Sequence, residues 1–138
     1  MKQFHDARDR VFRFLGEEFG CRITERRDTH NVDWVRYENG TTAMEVVRDP
    51  HQPGIIVSFH VLGTPPASAV ASPLPRHFYL DNLLELYDGR PLIGDPWASD
   101  FDLALAPFAA AVRQYATEIL RGDFRQLPKI QKIIERHQ

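Results

Sequence analysis

The chain has 138 residues, is 43% hydrophobic and 26% charged, and carries a formal net charge of −2. These values fit one soluble domain over residues 1–138 with a core of its own, and they leave no room for a second full domain. A near-neutral total argues against a long counterion-releasing contact with DNA or RNA, and no apolar run approaches the roughly 20 residues that span a bilayer.

Phe4, Ala7, Val11, Phe14, Leu15 and Phe19 recur at helical spacing, which predicts one helix over residues 2–19, closed by Gly20 as a left-handed cap. Asp6 with Arg10, Asp9 with Arg13 and Arg13 with Glu17 lie four apart and read as its solvated face. The N-terminal residues offer no apolar stretch of the signal-peptide kind, so the expected compartment is the cytoplasm. Cys21, the single cysteine, agrees with a reducing compartment and excludes an internal disulfide.

From Cys21 the period changes to two. Runs at 21–25, 32–38, 41–48 and 54–62 predict four strands, with short links that favour an antiparallel meander. Asn39-Gly40 predicts a type I′ hairpin turn, since both central residues of that turn need positive φ. In the fourth strand Ile55, Val57, Phe59 and Val61 make an apolar face that should meet the helices. Ser58 and His60 make the opposite face mixed, and Trp34 reads as core or as a sheet-surface anchor.

Residues 63–77 hold four of the ten prolines without a period and read as a long loop. Leu80, Leu83, Leu84 and Tyr87 predict a short helix capped near Asp81, before which Phe78-Tyr79-Leu80 can add a fifth strand residue or two. Phe101, Leu105, Phe108, Val112, Tyr115 and Ile119 predict the longest helix, with Ser99 and Asp102 as a capping box, a kink or break at Pro107 and an end at Gly122-Asp123. A last helix starts near Pro128. The expected fold class is α+β: an N-terminal helix, a four-stranded antiparallel β-meander, then a short helix and long C-terminal helices packed on one sheet face.

No catalytic, cofactor or metal signature emerges. The six histidines form no pair at metal-ligand spacing, the glycines are isolated, and a Ser58-His60-Glu45 constellation lies in regular strands without a nucleophile turn. Asp49-Pro50-His51 reads as a turn. Charge is unevenly distributed: residues 76–110 carry six acidic and two basic groups, and residues 111–138 carry six basic and three acidic ones. Within the acidic stretch Asp81, Glu85, Asp88, Asp95 and Trp97 are the candidate partner-binding residues, because a loop tryptophan beside carboxylates suits a protein contact.

Tyr37-Glu38-Asn39-Gly40, Leu80-Asp81-Asn82-Leu83-Leu84 and Ile119-Leu120-Arg121-Gly122-Asp123, taken with the element order, give a layout that resembles small bacterial α+β proteins of the polymorphic-toxin immunity kind and related families. The resemblance implies a cytoplasmic, non-catalytic protein that binds and blocks a toxin. Charge and hydropathy point away from nucleic acid and membrane as partners, and monomer and homodimer both stay open. Two other classes fit the same residues: a chaperone-like or dimeric adaptor, and a small-molecule-binding domain using the mixed sheet face around Trp34, Ser58 and His60.

Overall fold

The computed structural model describes residues 4–28, 32–49, 51, 54–63 and 74–138. The N-terminal apolar stripe is carried by two helices, α1 (Phe4–Val11) and α2 (Phe14–Phe19), where the spacing predicted one. The two meet at Phe12 and Arg13, and Phe12 is buried against Tyr37, with ring centroids 6.3 Å apart. Bonds three residues back, from Arg13 N to Arg10 O and from Leu15 N to Phe12 O, tighten the chain there, so that Phe12, Phe14 and Leu15 all face inward. Gly20, at φ 68°, then supplies the left-handed cap.

Five strands follow in one antiparallel sheet whose spatial order equals their chain order. The expected meander is β1 (Arg22–Asp28), β2 (Asp33–Glu38), β3 (Thr42–Asp49) and β4 (Gly54–Val61), extended by the three-residue β5 (His77–Tyr79). Cross-strand register sorts the two faces. Val35, Val46 and Val57 form one row of the inner face, and Tyr37, Met44, Phe59 and Phe78 the next. Arg36, Glu45, Ser58 and Tyr79 form a row of the outer face.

The β2–β3 connection departs from the expected turn. Gly40 has φ 94°, but Asn39 does not reach positive φ, so the link is not type I′. Instead the Asn39 side chain organises it. Its Oδ1 accepts from the amides of Thr41 and Thr42, both at 3.1 Å, and its Nδ2 donates to Phe19 O at 3.1 Å and Leu120 O at 2.6 Å. The Thr41 hydroxyl donates to the same Oδ1 at 2.9 Å, so Asn acts through five hydrogen bonds and not through its tolerance of left-handed backbone. At the Asp49-Pro50-His51 turn, His51 donates its amide to Asp49 Oδ1 at 2.9 Å. Of the Pro-rich stretch expected over 63–77, residues 64–73 lie outside those described, and His77 opens β5.

Helix α3 (Leu80–Leu86) starts one residue before the expected cap. Asn82 closes its first turn by accepting from the Tyr79 amide at 2.8 Å. The long helix is divided into α4 (Phe101–Tyr115) and α5 (Thr117–Leu120). Asp100 caps α4 through the Leu103 amide, in place of Ser99. Pro107 sits within α4 without ending it. It lies on the exposed side with Leu103, so water can reach the carbonyl that its missing amide would have bonded. Helix α6 (Leu127–Arg136) carries Pro128 in its first turn, as expected. Helix α1 packs on α4, with Phe4 edge-on to Phe101 at 5.2 Å, and α3 lies between α4 and α6. The helices pack against the inner face and enclose one core.

Candidate functional site

The five candidate contact residues are distributed along one strip and not gathered at one point. Asp81 and Glu85 project from successive turns of α3 and are exposed. Glu85 is tied to the end of the chain, its Oε2 lying 2.8 Å from His137 Nε2. Asp88 follows the helix with φ 60°, the one non-glycine residue at positive φ among those described. From there residues 89–97 cross to the far end of β3 and β4.

Two close approaches fix that crossing. Gly94 is buried against Ile55, where a Cβ on Gly94 would stand 2.6 Å from the Ile55 Cβ, and a Cβ on Gly54 would overlap the Gly94 carbonyl oxygen. Glycine is needed at both positions, at Gly54 because the Gly94 backbone stands where its Cβ would be and at Gly94 because the Ile55 side chain does. Arg48 makes the second attachment. It is nearly buried, donates from Nε to Asp33 Oδ2 at 2.7 Å and from Nη1 to Pro96 O at 3.0 Å, and has the rings of Phe4, Trp97 and Phe101 at 5.6–5.8 Å. The guanidinium is therefore held by a carboxylate in its plane and by aromatic surfaces around it.

Asp95 and Trp97 are the solvent side of this attachment. Asp95 Oδ1 accepts from the Trp97 amide at 2.8 Å, a turn that sets the indole beside Arg48 while leaving it 72% exposed. Ile93, which the sequence reading did not single out, is 92% exposed. Its signal was an apolar pair, Leu92-Ile93, placed between Pro91 and Gly94 where no period requires it. Asp81, Asp88, Asp95 and Asp100 make no ion pair among the described residues.

Two hollows open along the strip and share Asp81 and Pro91. One, of about 420 Å3, is floored by Ile55, Ile56 and Val57 and walled by Tyr79, Leu92 and Ile93. The other, of about 530 Å3, is lined by Asp81, Asn82, Glu85 and His137 around Gly89 and Pro91.

The outer sheet face is a second polar cluster. Glu45 accepts from Trp34 Nε1 at 3.2 Å and Arg36 Nη1 at 3.3 Å, and its Oε1 lies 3.0 Å from His60 Nε2. Trp34 is thus a sheet-surface residue. His60 stacks near His77 at 4.5 Å, and the pKa of His77 is lowered by burial first and by the neighbouring His60 charge second, against the opposing pull of Glu45. The sheet does join His60 to Glu45, but no hydrogen bond between Ser58 and His60 is present among the described residues, and Ser58 lies in regular strand. The Glu45 carboxylate is occupied in holding three neighbours.

Strand register also makes a grouping that spacing did not predict. His5, Asp28 and Asp33 place one ligand-type atom each within 4.8 Å of the others. Both carboxylates already have cationic partners, Arg8 at 3.1 Å on Asp28 and Arg48 at 2.7 Å on Asp33, so a cation there would displace or oppose two guanidinium groups. Cys21 is buried, and burial pushes its thiol up to about 11, which makes it a poor nucleophile at neutral pH. Comparison of the chain with protein-family models, with curated proteins and with solved structures gave no match.

Proposed function

We propose that this domain is a non-catalytic protein-binding module of the immunity type, which docks the strip from α3 to Trp97 on a basic face of a toxin and blocks it in the bacterial cytoplasm. The observation that carries the reading is the composition of that strip. Over residues 81–100 it holds five carboxylates and a single basic residue, Arg90, together with Ile93 and Trp97, the one almost fully and the other largely exposed. Carboxylates around exposed apolar anchors, all but Glu85 without an ion pair among the described residues, make a surface that steers a cationic partner in and then gains from desolvating the anchors.

The rigid attachment of the strip supports the same reading, since residues already held in place lose little further entropy on binding. The test is depletion of the protein in its source organism. Growth inhibition is expected, relieved by inactivating mutations in one other gene whose product forms a stoichiometric complex with the purified domain. Asp88→Lys with Asp95→Lys is expected to weaken that complex at least tenfold. A complex unaffected by the double reversal overturns the placement of the contact on this strip, and normal growth with no such suppressor gene overturns the immunity reading.

A further inference from the structure

The sheet brings together two histidines that the chain keeps apart. His60 on β4 stands directly opposite His77 on β5, and their ring centroids lie 4.5 Å apart at an interplanar angle of 33°. Both belong to the outer face, two positions along from Ser58 and Tyr79, where His77 is exposed and His60 partly so. His60 also holds its Nε2 3.0 Å from Glu45 Oε1. A carboxylate at that distance favours the tautomer with the proton on Nε2, which leaves the lone pair on Nδ1. Among the described residues, His60 Nδ1 and both ring nitrogens of His77 have no hydrogen-bond partner.

We infer that His60 and His77 together bind a divalent first-row transition-metal ion of the Zn2+ class. His60 ligates through Nδ1, Glu45 orients its ring from the other nitrogen, and water completes the coordination. Two imidazole nitrogens that share one ion lie about 3 Å apart, given metal–nitrogen bonds of about 2.0–2.1 Å. Rings whose centroids are 4.5 Å apart reach that separation by rotation about their side-chain bonds. A carboxylate beside the far nitrogen is the usual partner of a ligating imidazole, fixing its tautomer and raising its basicity. Imidazole selects Zn2+, Cu2+ or Ni2+, whereas Mg2+ and Ca2+ take oxygen ligands. Arg36, the cation that reaches Glu45, is itself held between Glu38 at 3.0 Å and Glu45 at 3.3 Å, so its charge is met before an ion arrives. The ion ties the three-residue β5 to β4, and so binds the folded chain in preference to the unfolded one. The inference does not rest on the toxin-binding reading.

The probe is Zn2+ alone, titrated calorimetrically into the metal-free full chain. One ion per chain is expected, with affinity at least tenfold lower in His60→Gln and in His77→Gln and unchanged in His51→Gln. Imidazole nitrogen resonances of the wild-type chain give a readout that needs no variant. Before zinc the proton of His60 should sit on Nε2, and zinc should shift Nδ1 of His60 and one nitrogen of His77 with the same stoichiometry. The thermal midpoint should rise with Zn2+ in the wild type and not in the double His60→Gln, His77→Gln variant. A His60 proton fixed on Nδ1, zinc binding indifferent to both histidine substitutions, or no binding at millimolar Zn2+ would each overturn the site. Binding lost in Asp28→Asn and kept in His77→Gln would overturn it too, and would move the ion to the group of His5, Asp28 and Asp33.

Discussion

Asn39 Nδ2 donates to the carbonyl of Leu120 at 2.6 Å across 81 residues of chain, and the same amide also reaches Phe19 O. Both acceptors lie at helix C-termini, where carbonyls lack an intrahelical partner. One side chain therefore closes a hairpin and caps α2 and α5 at once. Asn39→Ala strips partners from two amides, two carbonyls and the Thr41 hydroxyl and is expected to cost about 2–4 kcal/mol, at roughly 1 kcal/mol or more for each partly buried group left unmade. Asn39→Asp keeps the acceptor for Thr41 and Thr42 but faces the two carbonyls with a carboxylate, so it should be no milder than Ala at pH 7. Urea unfolding of both variants checks this, and an Asp variant close to wild type would show that the helix ends do not depend on the amide.

Gly54 and Gly94 predict a graded result. Gly40, at φ 94° with nothing near its missing Cβ, isolates the backbone cost of placing Ala at positive φ, about 1 kcal/mol. Gly94→Ala adds a collision with Ile55 at ordinary φ, about 1–3 kcal/mol. Gly54→Ala combines φ 100° with overlap on the Gly94 carbonyl and should be the most damaging of the three. Thermal unfolding of the three variants should rank them in that order, with Gly40→Ala the mildest.

These residues also show where sequence reading stops. Strand alternation and the helical spacing of Phe101, Leu105, Phe108 and Val112 depend on neighbours a few residues away, so α4 and the inner face of the sheet were legible. The break at Phe12, the role of Asn39 and the burial of Arg48 depend on partners twenty or more residues distant, and a pattern of period two or 3.6 carries no trace of them. Arg48 is the plainest case, since an arginine at a strand end reads as solvated until the Pro96 carbonyl and three rings are found around it. The acidic strip was legible as composition.

Stability should fall at both ends of the pH scale for separate reasons. His77 has a folded pKa below the ordinary value of 6.5, so the unfolded chain binds more protons, and its contribution is present above about pH 6.5 and lost as pH falls below it. Cys21 is shifted upward from 9.0 to about 11, so the folded chain holds the proton longer, and stability present below pH 9 is lost between 9 and 11. Tyr37, also pushed up by burial, adds to the alkaline loss above pH 10. Cys21→Ala should flatten the slope of unfolding free energy with pH between 9 and 10 and leave the slope near pH 6 unchanged, and His77→Gln should do the reverse. An unchanged alkaline slope in Cys21→Ala would place the loss on Tyr37 alone.

The Arg48–Asp33 pair gives the sharpest test of how the strip is held. Both side chains are nearly buried, and removing one leaves the other charged without a partner, which costs about 3–5 kcal/mol. Arg48→Met is expected to fall in that range. Asp33→Asn in the same chain removes the stranded carboxylate and should recover much of the loss, although the bond to Pro96 O stays broken. Amide exchange separates the global effect from the local one: at equal overall stability, Trp97 and Ala98, whose amides bond Asp95, should exchange faster in the double variant than in wild type. If they stay protected while stability is recovered, Gly94 against Ile55 is sufficient to hold the loop. Arg48 would then be a core ion pair with no part in presenting Trp97, and partner affinity should survive the double substitution.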